Sequence, residues 1–422
     1  MINIGIIGVG TVGASVVKIL QKNRDIITAR AGKEIRIAKG VVRDLSKPRD
    51  IDIPLTTDPY EVTDDPAIDI VVELMGGVEE AYKIVRRALQ NKKAVVTANK
   101  ALLAYHRYDL KELAKDLPFE FEASVAGGIP IIKALREGLS ANHIEAIRGI
   151  MNGTCNYILT KMAKEGASFD EVLAEAQQLG YAEADPTFDI EGYDAAHKLL
   201  ILASIAYGID AKPEDILIEG ITKIDKLDFE FAEEFGYAIK LLAIAKKRGD
   251  AVELRVHPTL LPQSQMIAKV DGVMNGVSVI GDVVGETMYY GPGAGGDATA
   301  SAVISNIIDI ARGGKCSPML GFKKPLESGM RLAPKESIES QYYLRLVVED
   351  RPGILAKIAS IFGQEAISIE SMLQKPAREG LANLLLSTHR CKEAAISKAL
   401  QILGDQAFLK QEPVMIRIET EG

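Results

Sequence analysis

The chain has no tryptophan, three cysteines, few aromatic residues and no apolar run long enough to span a membrane. Each shortage excludes something. Aromatics are 5% of the residues, so the core must be mostly aliphatic. Cys155, Cys316 and Cys391 are too few and too scattered for a disulfide framework or a zinc site. A membrane span needs about 20 consecutive apolar residues, and no N-terminal signal pattern is visible either. Basic charge is also short: 50 Lys and Arg stand against 58 Asp and Glu, a formal net charge of −8. Nucleic acids and anionic membranes both require a basic footprint, so neither is an expected partner. A reducing cytoplasm is the expected location. With 47% apolar and 26% charged residues, the 422-residue chain is ordinary globular material. Its length suits roughly two to four domains.

The charge is unevenly placed. Between Glu165 and Asp194 lie nine carboxylates and no Lys or Arg, so the remainder of the chain carries a net +1. The final part of that stretch, GYAEADPTFDIEGYD (180–194), has loop punctuation. It runs into DAAHK and then LLILASIA (199–206), which is apolar on every face and therefore reads as a buried helix.

Over the first 140 residues, short β-branched runs at Ile2–Ile7, Ile35–Val42, Ile68–Leu74, Ala94–Thr97 and Phe119–Ala123 alternate with helical patterns. The helical patterns include Val12–Lys22, Glu79–Gln90 and Tyr108–Asp116. This alternation predicts βαβ units and a Rossmann-like α/β domain with a parallel sheet, over 1–130 and completed by about 297–320. Residues 131–296 read as a second, α+β domain. Helices dominate it to Ala206, and strands are expected at Val252–Val256, Met266–Val270 and Val277–Val283. A Pro-, Lys- and Ser-rich linker is expected at 317–341. Residues 342–422 follow a βαββαβ order, a compact ferredoxin-like module.

The first strand leads straight into Gly8-Val9-Gly10-Thr11-Val12-Gly13. With a strand before it and a helix after it, this GxGxxG pattern reads as a dinucleotide fingerprint. Gly8 permits the turn, Gly10 lets the backbone approach a pyrophosphate, and Gly13 allows close helix–strand packing. The alternative is a tight turn that binds nothing. The second strand ends at Arg43-Asp44: an arginine here can accept the 2′-phosphate of NADP, whereas an acid holds the ribose hydroxyl of NAD. Both cofactors stay open. Lys100 follows the fourth strand, where ligands of open α/β sheets lie, although a surface lysine is the plain alternative.

Lys198 stands one turn after Asp194, so the two can share a helix face. Burial lowers a lysine's pKa and a nearby carboxylate raises it, a competition that can make an acid/base group. A structural ion pair is the alternative. Clustered carboxylates without cations suit an ammonium group or a metal. Cys155 has no nearby His and reads as a packed thiol.

In combination the chain resembles homoserine dehydrogenase of the monofunctional type carrying a C-terminal ACT domain. The resemblance rests on IGIIGVGTVG (4–13), VVTANKALLA (95–104), FEASVAGGIPII (121–132), IMNGTCNYIL (150–159), LGYAEADPTFDIEGYDAAHKL (179–199), GPGAGG (291–296) and EDRPGILAKIASIF (349–362). It implies reversible NADP- or NAD-dependent hydride transfer between L-aspartate 4-semialdehyde and L-homoserine, in threonine, methionine and isoleucine biosynthesis. The implied acid/base group is Lys198, with Lys100 and Asp194 beside the reacting centre. Glu183 and Asp189 fall on substrate-side acids. Gly180 and Gly295 join Gly8, Gly10, Thr11, Val12, Gly13, Arg43 and Lys100 as cofactor contacts. A monovalent cation, sodium, is implied at Glu122, Val125, Gly127 and Ile129, mostly through main-chain oxygens. The ACT module implies an amino-acid effector, L-threonine, at the Arg351–Leu355 loop. The resemblance also makes 131–296 the substrate-binding, catalytic and dimerisation domain, and implies a homodimer through it or a homotetramer through ACT pairing. Two rivals stand beside this reading: a non-catalytic ligand sensor, and a different dehydrogenase of a small amino or keto acid. Nothing resembles the nucleotide loop of an aspartate kinase.

Overall fold

The computed structural model describes residues 1–313, 316–326, 329–376 and 380–420. Parts of the expected linker (327–328) and of the C-terminal module (377–379 and 421–422) lie outside the described residues.

Six parallel strands form the first sheet: β1 (Ile2–Ile7), β2 (Ile35–Val41), β3 (Leu55–Thr56), β4 (Ile70–Glu73), β5 (Ala94–Thr97) and β6 (Phe119–Glu120). Their order is β3-β2-β1-β4-β5-β6, so the chain reverses direction of build at β1 and β4. β4 and β5 are buried along their whole length, as helices on both faces require. The helices are α1 (Thr11–Lys22), α2 (Arg24–Ala31), α3 (Tyr60–Thr63), α4 (Glu79–Gln90) and α5 (Lys100–Ala114). α5 begins eight residues earlier than the expected Tyr108, because the Asn99 side chain accepts the Leu102 N–H and caps it. The expected strand 119–123 stops at Glu120, and Glu122–Ser124 form a 3₁₀ turn.

The chain then enters a second layer through α6 (Ile131–Lys133), β7 (Ile144–Ile150), α7 (Gly153–Glu165), α8 (Phe169–Gln178), α9 (Thr187–Ile190) and α10 (Tyr193–Tyr207). Next come β8 (Leu217–Ile218), α11 (Lys226–Glu234), β9 (Tyr237–Arg248), β10 (Ala251–Pro262), β11 (Met274–Gly281), β12 (Gly285–Pro292) and α12 (Gly296–Ala311). β7 and the twelve-residue β9 went unanticipated. The expected strand Met266–Val270 is instead a short 3₁₀ turn, Ile267–Lys269, tucked under the sheet with Ile267 and Ala268 buried. α10 is buried nearly all round and packs on α5, β7, β9 and β10. α12 returns to the first domain and packs along α1.

The C-terminal part comprises β13 (Arg331–Leu332), β14 (Glu339–Glu349), α13 (Ile354–Gln364), β15 (Ile369–Pro376), β16 (Leu381–Thr388), β17 (Cys391–Lys392), α14 (Glu393–Gly404) and β18 (Val414–Ile418). Its helices cover one face, with Tyr342, Leu344, Ile358, Phe362 and Leu386 in its own core. The βαββαβ order expected for 342–422 is present, and its sheet continues into the second layer. β18 pairs in parallel with β10, Thr259 opposite Arg417 and Leu260 opposite Ile418. The two sheets are therefore one, in the order β12-β11-β7-β9-β10-β18-β14-β16-β15. Among the described residues, no helix is long and apolar enough to cross a membrane.

Candidate active site

The fingerprint glycines are placed as their chemistry requires. Gly8 has φ +100°, and a Cβ there would lie 2.7 Å from the main chain of Leu74. A Cβ on Gly13 would lie 2.5 Å from the Gly8 carbonyl oxygen. Gly10 has open space around it and caps α1 without a side-chain hydrogen bond. Thr11 and Val12 form the first turn of α1, so its free N–H groups and positive dipole end face that space. Gly295 caps α12 with φ +119°, and Gly296 packs so closely on α1 that a Cβ would meet Ser15 Oγ at 2.7 Å.

Two clefts meet at this point. One of 480 Å³ runs from Gly8 and Gly10 to Arg43, Asp44, Lys47 and Arg49. The other, of 380 Å³, runs from Val12 past Gly76, Gly77 and Asn99 to Lys100. Leu74 lines both. Asp44 is turned onto its own loop, where Ser46 Oγ donates to it at 2.6 Å. Arg49 Nη1 donates to the carbonyls of Asp44 and Lys47 at 2.9 Å each. Arg43 is exposed and makes no ion pair among the described residues. The open glycine, the uncapped helix and the continuous trough fit a dinucleotide, with the basic residues at its far end.

Buried hydrogen bonds hold the strand ends together. Glu73 of β4 accepts from Thr97 Oγ1 of β5 at 2.6 Å and from Met75 N at 2.9 Å. Asn99 Nδ2 donates to the Gly77 carbonyl at 2.7 Å. Lys100 is thereby fixed at the head of α5 and reaches across to the second domain, where Nζ pairs with Asp194 Oδ1 at 2.6 Å.

Asp194 is the hub of the site. Its other oxygen accepts from Lys198 Nζ at 2.7 Å, the i,i+4 pairing on α10 expected from the spacing. Asp194 is 2% exposed. Burial alone would raise its pKa, but the ammonium groups of Lys198 and Lys100 hold the carboxyl well below the usual carboxylate range. Lys198 Nζ also donates to the Met151 carbonyl at 2.6 Å. Burial lowers the Lys198 pKa, Asp194 limits the drop, and the Lys100 charge adds to it. Lys100 behaves in the opposite way. Burial opposes its charge, yet Asp194, with help from Asp189 and Glu183, leaves its pKa raised. Two lysines on one carboxylate thus divide into a persistent cation and a group eased toward neutrality, which is what a proton donor beside a fixed charge needs.

The acidic loop divides as well. Asp189, in α9, is half-buried, and burial together with the Asp194 charge raises its pKa. Glu183 is exposed between α8 and α9, its charge within electrostatic reach of Lys100. Gly180 lies at the end of α8 with φ +76°. Earlier in the acidic stretch, Glu171 closes the capping box of α8, and Glu175 pairs with Lys161 at 2.7 Å. Those carboxylates serve the α7–α8 helix pair and make no ion pair with Lys100 or Lys198. Cys155 is buried with a raised pKa, as a packed thiol.

Glu122 is a buried carboxylate that accepts two main-chain N–H groups, from Ile132 at 2.8 Å and Lys133 at 2.9 Å. It forms no ion pair among the described residues, and burial pushes its pKa up to about 7. After it, Val125 to Ile129 form a tight loop with Ala126 and Gly127 at positive φ. Gly128 N donates to the Pro292 carbonyl of the glycine-rich stretch at 3.1 Å. A buried carboxylate held by two main-chain N–H groups, with no salt-bridge partner among the described residues, beside a crowded loop suits a small cation. No group of three or more His, Cys, Asp or Glu side chains suited to a metal occurs among the described residues.

One residue of the cluster escaped sequence reasoning. Asn152 caps α7 and donates to both Asp189 and Asp194. The signal was available: an Asn before Gly-Thr, between a strand pattern and a helix, is an N-cap candidate.

Comparison with known proteins gives three matches to family models. Residues 8–121 match "Homoserine dehydrogenase, NAD binding domain", residues 130–308 match "Homoserine dehydrogenase", and residues 342–408 match the ACT domain. The chain is 56% identical to the homoserine dehydrogenase of Helicobacter pylori over 419 residues, covering 99% of each. It is 42% identical to that of Bacillus subtilis, over 100% of this chain and 99% of the relative. Among solved structures, a homoserine dehydrogenase from Thiobacillus denitrificans superposes with a TM-score of 0.94 at 47% identity, covering 100% of this chain and 99% of that one. A hyperthermophilic archaeal homoserine dehydrogenase in complex with NADPH matches at 30% identity and a TM-score of 0.62, over 73% of this chain and 97% of the other.

Proposed function

The chain belongs to the homoserine dehydrogenase family of NAD(P)-dependent oxidoreductases, with its NAD-binding, catalytic and ACT parts all present, and from that premise we propose how its own residues carry the reaction. L-Aspartate 4-semialdehyde is reduced to L-homoserine in the second domain, against the cofactor trough. A bound dihydronicotinamide supplies the hydride. Hydride arrival at the aldehyde carbon leaves an alkoxide, and Lys198 donates the proton that quenches it. In the oxidative direction neutral Lys198 takes that proton back. The observation that carries this reading is the shared hub: Lys100 and Lys198 meet on Asp194 where the trough reaches the second domain.

Lys100 stays charged and holds the substrate oxygen and the nicotinamide end in register, while Asp194 orients both ammonium groups. Glu183 and Asp189 receive the α-ammonium of the amino-acid substrate. Gly8, Gly10, Thr11, Val12, Gly13, Gly180 and Gly295 give main-chain surfaces to the cofactor. Arg43 takes the 2′-phosphate of NADP. Asp44 has one carboxylate oxygen engaged by Ser46, and exposed Arg43 beside it supports NADP. Glu122 and the main-chain oxygens of Val125, Gly127 and Ile129 would hold sodium, which would offset the charge of the buried carboxylate and brace the loop against 292–295. The product feeds threonine, methionine and isoleucine synthesis in the cytoplasm. L-Threonine acts on the Arg351–Leu355 loop of the ACT module; subunits pair into a dimer through the second domain, and ACT pairing would join dimers into a tetramer.

Initial rates of aspartate semialdehyde reduction with NADPH and with NADH, each with and without threonine, test these assignments. No reduction with either cofactor refutes the main one. A stronger NADH reaction refutes the Arg43 assignment, and indifference to saturating threonine in both rate and melting temperature refutes the effector.

A further inference from the structure

Asn152 stands at the junction of β7 and α7, 5% exposed, and no step of the reaction as proposed uses it. Its amide nitrogen donates to Asp189 Oδ1 at 2.7 Å and to Asp194 Oδ2 at 2.9 Å. Its carbonyl oxygen accepts the Cys155 N–H at 2.8 Å. A carboxamide has two N–H donors and one carbonyl acceptor, so each side of the group is engaged. Reversing the amide would set its oxygen against two carboxylates and its nitrogen against a main-chain N–H. The orientation is therefore dictated by the partners. The preceding residue, Met151, gives its carbonyl to Lys198. Two consecutive residues thus grip the proton-donating lysine, its counter-ion and a second carboxylate.

That grip addresses an electrostatic conflict. Two carboxylates that meet on one amide nitrogen repel each other, and a pair so placed tends to share a proton. The groups facing Asp189 are Asp194 and Lys198 from α10, Lys100 from α5, the Asn152 amide, and the buried thiol of Cys155 from α7, whose Sγ lies 3.2 Å from the Asp189 carbonyl. The two lysines favour the ionised form but are already engaged by Asp194. Among the described residues, Asn152 is the one neutral side chain that donates to both acids.

We infer that Asn152 is a positioning residue: it keeps Asp189 ionised next to Asp194, so that the ammonium-binding acid and the Lys198–Asp194 pair coexist at neutral pH. The inference rests on the reading of the site given above and assigns this chain a determinant of its acid limit.

Asn152→Ser separates the two jobs of this side chain. Serine caps a helix about as well as asparagine, so α7 keeps its N-cap. A hydroxyl has one proton to donate and cannot bridge two carboxylates. In kcat/KM for homoserine against pH, activity needs ionised Asp189 and falls as pH drops through its pKa. Without the bridge that pKa rises, so the acid limb of Asn152→Ser should move to higher pH by about one unit or more. The change should fall on KM more than on kcat, with the melting temperature close to the native one. An acid limb that stays in place overturns the inference, whereas an inactive native protein would overturn the reading of the site itself. Should Asn152→Ser fail to fold, Asp189→Asn decides the matter. It removes the titrating group, so the limb should disappear, and a limb unchanged from the native protein refutes the proposal.

Discussion

Glu419→Gln removes one negative charge, and almost no volume, from the junction between the ACT part and the catalytic sheet. Glu419 follows β18, and its carboxylate is 4% exposed. One oxygen accepts from Arg148 Nη2 of β7 at 3.2 Å and from Lys246 Nζ of β9 at 2.8 Å. The other accepts from Arg255 Nη2 of β10 at 2.7 Å. A single carboxylate thus ties the last strand to three strands of the catalytic layer. Breaking a buried pair on one side leaves charge behind in a desolvated place and costs about 3–5 kcal/mol. Glutamine keeps an acceptor oxygen, so the expected loss is near the lower figure, about 3 kcal/mol, a large share of the roughly 5–15 kcal/mol that holds a domain together. Denaturant unfolding followed by far-ultraviolet circular dichroism measures it. Lys18→Ala is the control: Lys18 pairs with Asp50 where the two are 52% and 96% exposed, and its loss should cost less than about 1 kcal/mol. The pH dependence has a definite sign. Burial works against the Glu419 charge, but Arg255, Lys246 and Arg148 hold its pKa below the ordinary 4.5. Its contribution is therefore complete above 4.5 and is lost as pH falls through the lowered value, so the native and variant curves should converge in acid. A destabilisation below about 0.5 kcal/mol at neutral pH, where ordinary surface changes lie, refutes the reasoning.

Two further outcomes follow from the site. Arg43→Ala should raise KM for NADPH by about tenfold or more and leave KM for NADH nearly unchanged, since one charge-assisted contact is worth about 1.5–3 kcal/mol; equal effects on both cofactors would detach Arg43 from the phosphate. Homoserine oxidation requires neutral Lys198, whose pKa burial holds below 10.5, so the oxidation rate should climb through mildly alkaline pH, and Lys198→Arg should abolish the climb; a flat native profile would count against Lys198 as the base.

Much of the first sheet was legible because its signals are local. β1, Gly8 to Gly13 and α1 are contiguous, and each glycine answers a steric need within a few residues. The Asp194–Lys198 pair was legible for the same reason, four residues apart on one helix. Lys100 follows β5 directly, and the Asn99 cap makes it the first residue of α5, a start that the apolar pattern alone sets at Tyr108. β9 was harder. It is buried over most of its length in the middle of a long sheet, and its central run Leu241–Ala245 is apolar without the alternation that marks a half-exposed strand, whereas β10 alternates over Val252–His257 and is expected there. Glu419 was invisible as a buried group. Near the end of the chain it reads as a solvated charge, and its partner Arg148 is 271 residues away. The single continuous sheet has the same origin, since β10 and β18 meet only through long-range pairing. Asn152 was overlooked because its two carboxylate partners are 37 and 42 residues distant.

The central claim is that Lys198 moves the proton while Asp194 and Lys100 hold the charges around it. Single-turnover reduction of aspartate semialdehyde by NADPH, compared between the native chain and Lys198→Ala, tests it most directly. The account predicts a hydride-transfer rate lower by about 10²–10⁴ with NADPH binding close to native. A variant that reduces the aldehyde at a near-native rate would contradict it.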